Sequence, residues 1–369
     1  MQTTRRFFLQ TTCAAALVPK VVVAANETLP KSVPPHHEAM FWEPLPNDEV
    51  RCQLCPQMCR VSDGERGLCR VRENRGGKYY TLVHSKPSAI HVDPVEKKPL
   101  FHFRPRQKAF SLATAGCSLA CRFCQNWELS QARPEDLRHT SLPPDAVVRR
   151  AQEAGAGIIA HTYSEPVVFY EYMRDICLAA SGTGIGRVMI SSGFIRKEPM
   201  EQLLPHLDAV KIDLKSFSHS FYVDVCSAQL RPVLDTLRRV HDSGVWLEIV
   251  VLVIPGLNDS AAEFEAMSMW IVQKLGRDVP VHFTRFHPAY RMMNLPNTPI
   301  ATLERARKTA MEAGIRYAYC GNVPGHPGEN TFCPGCGAEV VSRRGFHIQR
   351  RNMANGRCRE CGTAIAGIW

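Results

Sequence analysis

The sequence predicts an α/β protein built as a full or partial βα (TIM-like) barrel. Three observations carry this reading. From about residue 109, short β-branched runs alternate with amphipathic stretches. The amphipathic stretches stop at Gly155, Gly182, Gly244, Gly276 and Gly314, each shortly before an apolar run, as repeated βα units do. The apolar runs also lack clean alternation, which fits parallel strands covered by helices. No GxGxxG turn follows the first strand, so a doubly wound sheet fits less well.

The expected strands are 109–115, 157–161, 187–192, 208–214, 245–253, 280–286 and 315–320. The expected helices are "PPDAVVRRAQEAG", "PVVFYEYMRDICLAASG", "RPVLDTLRRVHDSG", "AAEFEAMSMWIVQKLG" and "TLERARKTAMEAG". The first starts with prolines, which suit a helix N-terminus. In such a barrel the chemistry sits at the C-terminal ends of the strands. Polar residues collect there: His161 to Glu165 after the second strand, Ser191 and Ser192 after the third, Asp213 and Lys215 at the fourth, and Arg285 and His287 at the sixth.

The first strand runs into "GCSLACRFCQNWELSQ", with Cys117, Cys121 and Cys124 spaced C-x3-C-x2-C. Three thiolates can hold three irons of a [4Fe–4S] cluster and leave the fourth open to an outside ligand. An open coordination position separates a reactive metal site from a structural one.

The spacing, with Phe123 before the last cysteine, resembles the radical S-adenosylmethionine (SAM) superfamily. "DPVEKKPLFHFRP", "CRFCQNWELSQ", "YSEPVVFYEY", "DLKSF", "LVIPGLND" and "RFHP" together resemble the AmmeMemoRadiSam-system radical SAM enzymes, relatives of the pyruvate formate-lyase activating enzymes. That likeness runs from about Cys52 to Trp369. It implies that SAM chelates the open iron and is cleaved reductively to a 5′-deoxyadenosyl radical, which abstracts a hydrogen atom from a substrate. It further implies that Glu165 meets the SAM amino group, although the usual paired glycines are absent here. Ser191 or Ser192 would serve the ribose, Lys215 the carboxylate with Asp213 holding Lys215 or the ribose, and His287 the carboxylate as well. A flavodoxin- or ferredoxin-like electron donor, a protein or peptide substrate and AmmeMemo-system partner proteins follow by the same analogy.

Two further cysteine groups flank the barrel. Cys52, Cys55, Cys59 and Cys69 offer four thiolates for either a structural zinc or a second iron–sulfur cluster. Cys333, Cys336, Cys358 and Cys361, in "CPGCG" and "CRECG", read as a zinc ribbon. Repeated pairs two residues apart favour metal over disulfides. Of the four remaining cysteines, Cys13, Cys177 and Cys320 read as small buried hydrophobes.

The resulting organisation is a signal-like segment at 1–25, a Pro-rich linker or arm at 26–50, a Cys-rich segment at 51–75, the barrel at 76–328 and the ribbon at 329–369. The paired Arg5 and Arg6 before a mildly apolar run resemble a twin-arginine export signal, too short to span a bilayer once the chain is mature. Export points to the periplasm; the supply of SAM and reductant points to the cytoplasm. The formal charge of +10 keeps an RNA substrate open, read through Arg343, Arg344, Arg350 and Arg351. A non-catalytic electron carrier or scaffold is a third reading, disfavoured because a carrier has no use for Glu165, Lys215 and His287.

Overall fold

The computed structural model describes residues 37–369. The twin-arginine segment, Cys13 and the start of the expected linker lie outside the described residues. Among the described residues no helix is long and apolar enough to cross a membrane.

An eight-stranded sheet organises the chain. Its strands are β1 (Ala89–Pro94), β2 (Lys108–Ala113), β3 (Ile158–His161), β4 (Gly186–Ser191), β5 (Ala209–Asp213), β6 (Trp246–Val253), β7 (Val281–Arg285) and β8 (Ala318–Gly321). They lie side by side in chain order. From β2 to β8 every pairing is parallel; β1 is antiparallel to β2. The sheet ends at β1 and β8, which do not pair with each other, so the barrel is the partial kind. All seven expected strands are present. The antiparallel β1 was not expected, because only one of its six residues is buried and it carries no apolar run.

Helices α1 (Pro144–Glu153), α2 (Tyr170–Ala179), α3 (Lys197–Leu203), α4 (His219–Cys226), α5 (Leu230–Asp242), α6 (Ala261–Leu275) and α7 (Ile300–Glu312) fill the connections. In α5, Val233, Thr236, Leu237 and Val240 are buried at the three- and four-residue spacing of one helix face. Ser218 and Ser260 cap α4 and α6 by accepting from the Phe221 and Glu263 amides. Helices α3 and α4 had no strong signal: both are short, and α3 carries Pro199 in its first turn.

Residues 37–50 do not form a free linker. Trp42–Pro44 pairs with Val50–Cys52, which pairs with Arg60–Val61, and His37–Glu38 adds to a second small sheet. The polar, Pro-rich composition hid strands only two or three residues long. Neither is the C-terminal segment an appendage. Val340, Val341, Cys333 and Cys358 share one buried cluster with Phe101, Tyr317 and Tyr319 of the barrel. Arg343, only 4% exposed, donates to the carbonyls of Phe101 and Glu329 and stacks on the Phe101 ring. It is therefore unavailable to RNA, and the basic surface expected of the ribbon is smaller than its sequence implies. Arg350 pairs with Glu339, and Arg351 lies over Trp369.

Two buried histidines make stability pH-dependent. Burial lowers the pKa of His102 and of His161 to about 4. In the unfolded chain an imidazole titrates near ~6.5, so the unfolded state binds the extra proton between these values. Stability is then full above that range and falls as pH drops through it. Denaturant unfolding should show a loss of about 2 kcal/mol per histidine between pH 7.5 and pH 5, and His102→Gln should flatten part of that slope.

Candidate active site

The C-terminal ends of the parallel strands open onto a cavity of about 330 Å³. Cys117, Cys121, Cys124, Glu165, Ser191, Asp213 and Lys215 all line it. One end of the sheet thus gathers the triad and every expected SAM contact except His287.

The triad loop leaves β2 through Gly116, whose φ is +95°. A Cβ on Gly116 would sit 2.6 Å from the Cys69 carbonyl oxygen and 2.6 Å from a Val71 methyl. Glycine is needed here for both reasons. Gly116→Ala should cost about 1–3 kcal/mol in local strain and displace Cys117, read as a lower iron content after reconstitution with unchanged far-UV circular dichroism.

Glu165 is 2% exposed and is held by four donors. Its Oε1 accepts from Ser191 Oγ at 2.6 Å and the Val167 amide at 3.2 Å; its Oε2 accepts from Ser192 Oγ at 2.6 Å and the Ser192 amide at 2.9 Å. The hydroxyl proton of Ser191 is thereby committed to Glu165, which leaves only acceptor capacity for a ligand. Asp213 accepts from Lys211 Nζ at 2.5 Å and lies 3.7 Å from Lys215 Nζ. Burial pushes the Asp213 pKa up, but Lys211 and Lys215 outweigh it and hold it below the usual carboxylate value. Burial works against the charged Lys215 ammonium, while Asp213 and Cys121 reverse that and keep it charged. Its Nζ lies 5.6 Å over the Phe123 ring.

His287 does not join them. Strand β7 turns its buried Thr284 and His282 to the cavity. Beyond it Phe286 is locked inside by the hydrogen bond its backbone N–H donates to Thr298 Oγ1, and His287 emerges exposed, 2.9 Å from Asn297.

Burial raises the pKa of Cys117 and Cys124, whereas Cys121 is lowered, first by a hydrogen bond from the Cys226 thiol. Cys226 ends α4, and its carbonyl accepts from the Ala120 amide at 3.0 Å. Its partnership with a loop 105 residues earlier left no mark in the spacing of the sequence. Tyr163, one of the expected strand-end residues, lines the cavity too, and Asn126, Lys97 and Phe346 line it without having been expected. Asn126 donates to the Tyr163 carbonyl at 2.9 Å, fixing a residue at φ +65°.

The residues present fit the cluster and SAM. The donor set is three thiols on one cavity wall. Ser164 Oγ, in the same wall, is buried with no hydrogen-bond partner, as expected of a group kept for a ligand. Elsewhere, the four ribbon sulfurs lie within 4.8 Å of one another, with Cys333–Cys361 at 3.5 Å and Cys336–Cys358 at 3.8 Å. That is single-ion spacing.

Comparison with known proteins agrees. The profile of the Radical SAM superfamily matches residues 111–267. An uncharacterized protein of Methanocaldococcus jannaschii is 43% identical over 330 residues, covering 89% of this chain and 98% of its own. Benzylsuccinate synthase activating enzyme of Thauera aromatica and pyruvate formate-lyase 1-activating enzyme of Escherichia coli are each 24% identical, over 43% and 39% of this chain. The matched stretches span 49% and 60% of those two enzymes. Among solved structures, a radical SAM methyltransferase from Sphaerobacter thermophilus aligns with a TM-score of 0.47 at 20% identity, over 62% of this chain and 71% of its own. Profile, relatives and the cysteine loop at the mouth of a parallel sheet agree: the chain belongs to the radical SAM superfamily and is related to the pyruvate formate-lyase activating enzymes.

Proposed function

We propose that the chain is an activating-enzyme-like radical SAM oxidoreductase of the AmmeMemoRadiSam group, acting on a protein or peptide side chain. The observation that carries it is the meeting of Cys117, Cys121 and Cys124 with Glu165, Asp213 and Lys215 on one cavity. A [4Fe–4S] cluster held by the triad and SAM bound beside it supply a 5′-deoxyadenosyl radical when reduced by one electron. The chain's own residues do the positioning. Glu165, rigid in its four hydrogen bonds, receives the SAM ammonium; Lys215 receives the carboxylate, with Asp213 keeping that ammonium charged. Ser164 Oγ is the free donor for the ribose, a role its unpaired state supports better than it supports Ser191.

A macromolecular substrate is supported by the surface outside the cavity. Trp127 is 40% exposed and stacks on Tyr290 at 5.1 Å, and the half-exposed Phe346 lines the opening. The names of the two activating enzymes point the same way. An electron donor of the flavodoxin or ferredoxin class and AmmeMemo-system proteins are the proposed partners, and zinc is the proposed ion of the ribbon.

The test is anaerobic reconstitution with iron and sulfide, followed by reductant and SAM. Formation of 5′-deoxyadenosine and methionine is expected, with turnover raised by the substrate. A reconstituted protein with a full cluster that yields neither product refutes the reading.

A further inference from the structure

We propose that Cys52, Cys55, Cys59 and Cys69 hold a second iron–sulfur cluster rather than a zinc ion. The chain carries its own standard for comparison. A tetrahedral zinc holds its thiolates about 3.8 Å apart, as follows from Zn–S bonds of about 2.3 Å. The ribbon cysteines meet that spacing, all four sulfurs lying within 4.8 Å of one another. Neither the N-terminal four nor the Cys117–Cys121–Cys124 triad contributes three sulfurs that do so. In a cluster each cysteine bonds its own part of a multi-iron core, so the sulfurs stand apart by the width of that core. By spacing, the N-terminal group belongs with the triad and not with the ribbon.

The surroundings are those of an anionic centre. All four cysteines line one small pocket together with Arg72, Tyr79 and Ser118. Arg72, Tyr79 and Ser118 are 1%, 0% and 3% exposed. Each has a buried donor without a partner: Arg72 Nε, Tyr79 OH and Ser118 Oγ. Arg72 Nη1 also lies 3.8 Å from Cys52 Sγ. Three unpartnered donors around four sulfurs suit thiolates and bridging sulfides, which accept several weak hydrogen bonds each. A zinc already closed by four thiolates leaves fewer acceptor sites to satisfy them. The chamber's free space is about 10 Å³, that of about one water, so taking up a cluster requires the Cys52–Cys69 loops to part.

The chamber also abuts the triad loop. Gln57, between Cys55 and Cys59, donates to the Ser118 carbonyl at 3.0 Å, and Ser118 follows Cys117. Gly116 packs on the Cys69 carbonyl.

The experiment is to reconstitute the full chain and its Cys117→Ala/Cys121→Ala/Cys124→Ala variant, then measure iron, acid-labile sulfide and zinc. The variant should keep iron and sulfide in equal amounts, about two or four of each per chain, with a cluster signal in low-temperature electron paramagnetic resonance after dithionite. Adding Cys55→Ser and Cys59→Ser should remove both. Wild type should carry about one zinc per chain, that of the ribbon. A triad variant with native circular dichroism and no sulfide, or a wild type with two zincs per chain and only triad-bound iron, overturns the proposal. Should the triad variant fail to fold, the wild-type sulfide and zinc contents decide it. The outcome is separate from SAM cleavage, since the variant lacks the site at which SAM would bind.

Discussion

Cys121→Ala is expected to lower 5′-deoxyadenosine formation by at least ~100-fold, more than the loss seen when only a metal ligand's partners are changed. The reason is the number of ligands. A three-cysteine site has no spare thiolate, and its open iron is already reserved for SAM. Cys121 is the most telling of the three because its thiolate is the one the protein favours: the Cys226 thiol and Lys215 both lower its pKa. Cys226→Ala should be far milder, retaining the cluster and altering its reduction potential. The check is product formation per cluster, with iron measured on each variant. Full activity in Cys121→Ala would contradict the assignment of the triad.

Glu171→Gln is expected to cost about 3–5 kcal/mol of stability, the usual loss when one partner of a buried ion pair is removed. Arg72 and Glu171 form a direct pair, each side chain 1% exposed, and Glu171 Oε1 also accepts from the Met40 amide at 2.7 Å. Glu171 belongs to α2, Arg72 to the Cys-rich segment and Met40 to the chain just before it, so the pair joins the barrel to those two described segments. Removing the carboxylate leaves Arg72 buried and uncompensated beside Cys52. A double change to apolar residues of similar volume should recover much of the loss. Chemical denaturation of the three variants checks this; a single variant as stable as wild type would show that the pair contributes little.

The barrel was legible in the sequence because its strands are buried on both faces. Ile158–His161 is buried throughout, and in β6, "WLEIVVLV", six of eight residues are buried. Glu165, Asp213 and Lys215 were legible because topology, not side-chain detail, puts strand ends at one mouth. What depends on the exact path of a loop was not. His287 and the cavity-lining Thr284 are only three residues apart, and which of them faces inward is set by the Phe286–Thr298 bond. Ser191 and Ser164 are both serines at strand ends; only the hydrogen-bond count tells the occupied hydroxyl from the free one. The packing of the ribbon on Phe101 was hidden as well, because the contact spans 242 positions of sequence.

On the proposed function, that packing would give the C-terminal four-cysteine segment a part in the chemistry. Gly345 and Phe346, at the tip of the Glu339–Arg344 and His347–Arg351 hairpin, are wall residues of the cavity. The Gly345 amide donates to Glu329, and the hairpin lies in the chain between the two cysteine pairs whose four sulfurs gather within 4.8 Å. A radical enzyme must keep water and stray hydrogen donors from its intermediate. Stripping the ribbon's ion is therefore expected to leave the triad in place while making the enzyme leaky, so that SAM is consumed without matching conversion of substrate. The ion would then act as a guard on coupling efficiency, at a distance from every bond that breaks.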